Sequence, residues 1–98
     1  MDCRFADKKL ERVERDLAAT LGHGDDVDTM FRRRMQLIRA APDERDFRAL
    51  KSLHFERLKG KRANQWSMRL NKQWRLIVEF EHSPGGKVIV IVSVEDYH

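Results

Sequence analysis

Only one cysteine, Cys3, occurs in the 98 residues, so neither an internal disulfide nor a cysteine-rich zinc site can form. Histidine is sparse as well. His23, His54, His82 and His98 never fall at the i, i+4 spacing that places two metal ligands on one helix face, and neither a metal nor a cofactor is expected. Long apolar runs are missing: the longest, Val88 to Val92, is far short of the ~20 residues of a spanning helix, which excludes membrane insertion. The N-terminus lacks the apolar stretch of a signal peptide, so the expected compartment is the reducing cytoplasm.

What is present fits one small fold. Ninety-eight residues are too few to build two cores, and residues 1–98 read as a single domain. Hydrophobic residues at 41% beside charged residues at 37% argue against disorder. Twenty Lys and Arg against sixteen Asp and Glu leave a charge of +4, which points to an anionic partner.

The first half has helical periodicity. Arg4 and Phe5 suggest a brief edge strand before Asp7, a suitable N-cap. Leu10, Val13, Leu17 and Leu21 then follow the spacing of one helix face, which Gly22-His23-Gly24 ends, and Asp25 and Asp26 offer caps for the next helix. Val27, Met30, Phe31, Met35 and Ile38 form a second stripe, read as core. Arg32, Arg33, Gln36 and Arg39 point away from it, and the Arg32-Arg33-Arg34 run reads as a solvated face. Pro42 interrupts this helix, and Asp43 to Leu50 predicts a further turn or two.

After Leu53 the period changes to two. Trp66, Met68 and Leu70 predict one strand and Trp74, Leu76, Val78 and Phe80 another, with Asn71-Lys72 as a tight hairpin loop between them. Ser83-Pro84-Gly85-Gly86 is a turn, Lys87 to Val94 a third strand, and Phe55 to Leu58 a short additional one. If helices cover the face bearing Leu76 and Val78, Arg69 and Arg75 emerge together on the other face. The segment from Arg45 to Arg75 concentrates the positive charge, with Asp46 and Glu56 its only acids, and that pattern suits a phosphate backbone. Glu95-Asp96-Tyr97-His98 comes directly after the last strand, placing a carboxylate, a phenol and an imidazole near one end of the sheet. His54, beside Leu53 and Phe55, reads by itself as partly buried packing.

Leu58-Lys59-Gly60, Gln65-Trp66-Ser67-Met68-Arg69-Leu70-Asn71, Gln73-Trp74-Arg75 and Glu95-Asp96-Tyr97-His98, in that order, resemble the HigB branch of the RelE/ParE superfamily of bacterial toxins across essentially the whole chain. The resemblance implies an α+β fold, a small antiparallel-rich sheet with N-terminal helices packed on one face. It also implies a ribosome-dependent endoribonuclease that cuts mRNA in the A site of the 30S subunit, neutralised by a HigA-like helix-turn-helix antitoxin. Operator DNA would be met only through the antitoxin complex. The positions it marks as catalytic are Asp96, Tyr97, His98, Arg75 and Lys59, with Lys61, Arg62, Arg69 and Lys72 as RNA-binding cations. His54 departs from the pattern. Phe55-Glu56-Arg57 separates it from Leu58, two residues more than in relatives with Leu-His-Pro-Leu-Lys-Gly, a displacement of about 6 to 7 Å along a strand.

Such chemistry needs no metal, because RNA supplies its 2′-hydroxyl as nucleophile. Arg75 and Lys59 suit the five-coordinate phosphate, with His98 or Asp96 as base, His98 or His54 as acid, and Tyr97 stacking on a base or orienting the phosphate. Two other functions fit the layout: a gyrase poison like ParE, and a non-catalytic RNA-binding module. Expression alone separates them, since only a nuclease removes translated messages and only a gyrase poison damages DNA.

Overall fold

A computed structural model describes residues 1–97; His98, one of the expected catalytic residues, lies outside the described residues. Strand β1 (Cys3–Phe5) leads into α1 (Lys8–Arg15), α2 (Asp25–Ala40) and the short α3 (Arg45–Ala49). Next along the chain come strands β2 (Glu56–Arg57), β3 (Gln65–Arg69), β4 (Trp74–Ser83) and β5 (Gly86–Asp96). The sheet order is β1-β5-β4-β3-β2, antiparallel except for β1, which pairs parallel to β5 as an edge strand. This is the α+β arrangement expected, with helices on one face. No helix among the described residues is long and apolar enough to cross a membrane.

Amphipathic spacing builds the core. Val27, Phe31, Met35 and Ile38 from α2, Leu10 and Val13 from α1 and Phe47 from α3 are buried against Met68, Leu76, Val78, Ile89 and Ile91 of the sheet. Each large side chain so enclosed contributes about 1.5–3 kcal/mol of transfer free energy.

Helix α1 stops earlier than the periodicity suggests. Asp7 caps it by accepting from the Lys9 amide, but Asp16 is extended and its carboxylate takes the Ala18 amide, leaving Leu17 82% exposed. The carbonyls left open near that end are collected by Arg32, which donates to Val13, Asp16 and Ala19. Arg34 similarly donates twice to the Arg69 carbonyl. The arginine run is therefore not simply a solvated face: two of its members clasp backbone. At α2 the N-cap is Gly24, with φ 109°, and Asp25 and Asp26 lie inside the first turn, where they favour the helix dipole.

Two turns differ in outcome. Ser83 pairs with Gly86, so Pro84-Gly85 makes the tight β4–β5 turn in the expected place. The β3–β4 connection is longer than Asn71-Lys72, because the Leu70 and Asn71 amides both donate to the Trp74 carbonyl while Asn71 Oδ1 accepts from Gln73 and Trp74. In β5, Val92 is an extra residue between Ile91, paired with Val78, and Ser93, paired with Ile77. This bulge reverses the facing of the rest of the strand, so Val94 turns to the helices and Glu95 to the uncovered face.

Candidate active site

The uncovered face carries Gln65, Ser67 and Arg69 from β3, Arg75, Ile77 and Glu79 from β4, and Ser93 and Glu95 from β5. Arg75 is its centre. Paired with Arg69 on one side and Glu95 on the other, it is only 6% exposed. Its Nη2 donates to the His54 carbonyl and, at 2.9 Å, to Ser67 Oγ, while its Nε is buried without a partner among the described residues. The Tyr97 ring lies 4.8 Å from the guanidinium carbon. Burial pulls the Arg75 pKa down, and Glu56 is the largest charge opposing that shift, although no ion pair forms between them.

His54 stands in this cluster despite the spacing that counts against it. It comes after a 3-10 turn anchored by buried Leu53, and its backbone is left-handed, at φ 46° and ψ 50°. The displacement reckoned along a strand does not apply to such a bend. Its Nε2 is 3.5 Å from Arg69 Nη1, a contact at the outer limit of hydrogen bonding. Nor is the residue buried packing, since its imidazole is exposed while its carbonyl binds Arg75.

The remaining expected residues are divided. Lys59 begins the 3-10 turn Gly60–Arg62, and Lys59, Lys61 and Lys72 are exposed with no ion pair among the described residues. Arg62 is engaged by Glu95 and Gln65. Tyr97 is fixed by its amide, which donates to the Gln73 carbonyl at 2.6 Å. Asp96 pairs with Trp74 on the opposite side of the strand from Glu95, and its Oδ2 accepts from Gln73 Nε2. The geometry thus gathers His54, Arg69, Arg75 and Tyr97, and sets Asp96 apart from them.

Two members of the cluster, Ser67 and Glu56, were not singled out by sequence. Ser67 is fully buried, and its signals were its place in period with Arg69 and its membership of the Gln65–Asn71 stretch, neither of which gave it a role. Glu56 pairs with Ser67 across β2 and β3 and was visible only as an exception within a basic run. The face is also less uniformly basic than the Arg45–Arg75 segment implies, because β4 and β5 bring Glu79, Glu81 and Glu95 onto it. Among the described residues no three His, Cys, Asp or Glu side chains are grouped so as to hold a metal ion. A cavity of about 140 Å³ lies away from this cluster, lined by Leu10, Leu21, His23 and Val94 among others.

A family model described as a HigB-like toxin, the RelE-like toxin HigB of a type II toxin-antitoxin system, matches residues 3–98. Among solved structures, a YoeB/ParE toxin from Agrobacterium tumefaciens shares the fold with a TM-score of 0.61 over 100% of both chains, at 17% identity. No curated protein sequence matches the chain.

Proposed function

The chain belongs to the HigB family of RelE-like toxins of type II toxin-antitoxin systems, and from that membership we propose that it is an endoribonuclease cutting messenger RNA held in the ribosomal A site. A toxin of this class has an antitoxin partner. A HigA-like helix-turn-helix protein is proposed for that role, with operator DNA reached only through the complex and the cytoplasm as the place of action.

One observation carries the reading: Arg75 is a nearly buried cation with no ion pair among the described residues, an unspent Nε, and an aromatic ring over its plane. An unpaired buried charge costs several kcal/mol, and a phosphate seated beside the guanidinium would offset that cost. Ser67 is no nucleophile, since it is fully buried and its oxygen accepts from Arg75. The nucleophile comes from the RNA. Its 2′-oxygen attacks phosphorus and gives its proton to a base, while the bond to the 5′-oxygen breaks and that oxygen takes a proton from an acid. The products are a 2′,3′-cyclic phosphate and a 5′-hydroxyl.

Arg75 and Lys59 stabilise the charge that builds on the phosphate. Glu56 on the arginine face, Asp96 on the other side of β5, and the imidazoles of His54 and His98 are the groups proposed for the two proton transfers. Tyr97 offers a ring for a base, and Arg69, Lys61 and Lys72 grip neighbouring phosphates. Primer extension on a translated and an untranslated copy of one message, after induction, tests this. Cuts confined to the translated copy and lost in Arg75→Ala are expected. Growth arrest with intact messages and damaged DNA would replace the reading with gyrase poisoning.

A further inference from the structure

Arg62 belongs to the cations expected to grip RNA, yet all three nitrogens of its guanidinium are already engaged within the protein. Nη1 and Nη2 form a fork on the two Glu95 oxygens at 2.9 and 2.8 Å, and Nε donates to Gln65 Oε1 at 2.8 Å. The acceptors are themselves held, Glu95 by Ser93 Oγ at 2.6 Å and Gln65 by its own donation to Glu79 at 2.7 Å. In register, Gln65 lies on β3 and Glu95 on β5, so the Arg62 side chain crosses β4 between them. Ile77 lies on that stretch of β4. It is only 2% exposed although it faces the uncovered side and stands outside the main core, as a residue roofed by a crossing side chain would be.

Arg62 also sits in the segment that carries Lys59 and Lys61. That segment, residues 59–64, is the loop between β2 and β3, closed by the Leu58 amide on the Gln65 carbonyl and turned at Gly60, with φ 68°. Arg57 holds its far side through the Ala63 carbonyl. We infer that the Arg62–Glu95 fork is a strap that fixes this loop across the uncovered face, making Arg62 a positioning residue for Lys59 and Lys61 rather than a ligand of phosphate. What the loop grips rests on the RNA-cleavage reading; the strap itself rests on geometry alone. The β5 bulge is what makes it possible, because if Val92 instead paired in regular register with Ile77 the Glu95 carboxylate would turn toward the helices. The fork draws the Glu95 pKa down and the Arg62 pKa up, in keeping with a formed pair.

Glu95→Gln gives a test in which the two roles have opposite signs. If Arg62 bound phosphate, neutralising Glu95 would release it and RNA would bind more tightly. As a strap, Glu95→Gln loosens the loop and weakens binding of a short single-stranded oligoribonucleotide about fivefold, the factor to which about 1 kcal/mol corresponds. In the protein without RNA, hydrogen exchange at the amides of residues 59–64 quickens in Glu95→Gln and in Arg62→Gln, while β4 and β5 keep their protection. The exchanged pair, Arg62→Glu with Glu95→Arg, restores the slow exchange that each single change loses. Tighter RNA binding by Glu95→Gln, or exchange at residues 59–64 equal to wild type, overturns the strap. A wild-type chain that neither binds nor cuts RNA overturns the RNA reading instead, and the exchange comparison still decides the strap.

Discussion

Substituting Arg75 by Met retains an unbranched apolar stem of similar reach and deletes the guanidinium. The losses are two charge-assisted hydrogen bonds, to the His54 carbonyl and Ser67 Oγ, at about 1.5–3 kcal/mol each. The Tyr97 contact at 4.8 Å, made by a ring that is 46% exposed, adds about 0.5–1 kcal/mol. Against these stand two gains. A cation that is 6% exposed and lacks an ion pair among the described residues no longer has to be desolvated, a saving of several kcal/mol. The buried Nε without a partner also disappears, worth about 1–3 kcal/mol. The two sides cancel to within about 2 kcal/mol, so the unfolding midpoint moves by no more than about 15 °C in either direction. Cleavage falls by about 10² to 10³, the usual loss when a donor to developing phosphate charge is removed. Thermal unfolding and single-turnover cleavage, measured on one preparation, check both halves. A destabilisation beyond about 4 kcal/mol would make Arg75 a structural residue, and unchanged cleavage would remove it from the chemistry.

His54→Gly relieves a left-handed backbone that costs a non-glycine residue about 1 kcal/mol, so its urea midpoint lies above that of His54→Ala while both lose cleavage; equal midpoints refute the strain. Asp28 is buried and accepts from Thr20 Oγ1 and the Leu21 amide, and Asp28→Ala leaves that amide unpaired at a cost of about 1–3 kcal/mol, checked by urea unfolding and refuted by a wild-type midpoint. Because Arg62 and Ser93 hold the Glu95 pKa below its ordinary 4.5, the strap is fully in place above pH 4.5 and is lost as pH falls through the lower, folded value. Proteolytic nicking within residues 59–64 should therefore rise only on the acid side of 4.5, and a rise already complete above it would contradict the pair.

The elements with a complete apolar stripe were legible from residue order alone. The stripe of α2 and the alternation along β4 both match the buried set, because a face that must leave water leaves its period in the sequence. Leu17 fits the same period yet is exposed, since Asp16 ends the helix through a side-chain bond that hydropathy does not register. Arg32 and Arg34 escaped for the same reason: donors that satisfy carbonyls have the same composition as a solvated face. The site was legible as a set of types and incomplete as a place. Arg69 and Arg75 were found from strand parity, but counting charge along a segment could not include Glu79, Glu81 and Glu95, which arrive from later strands. His54 was set apart by residue counting because a left-handed bend shortens a path that a strand would extend.

Strand β5 lies between β1 and β4, so the strand that joins the two sides of the sheet leaves the ribosome after the other four. Until residues 86–96 emerge, β1 has no neighbour to pair with, and the buried surface of α1 and α2 lacks Ile89 and Ile91. Ser67, Arg69 and Arg75 are all translated earlier, yet Glu95, which holds Arg62, and Tyr97, whose ring lies against Arg75, come from β5 and the residue after it. A nascent chain halted within β4 therefore has most of the site's residues and none of its assembly. Contacts between such distant parts of the sequence slow folding, and here they also delay the complete arginine cluster until β5 and Tyr97 have been made.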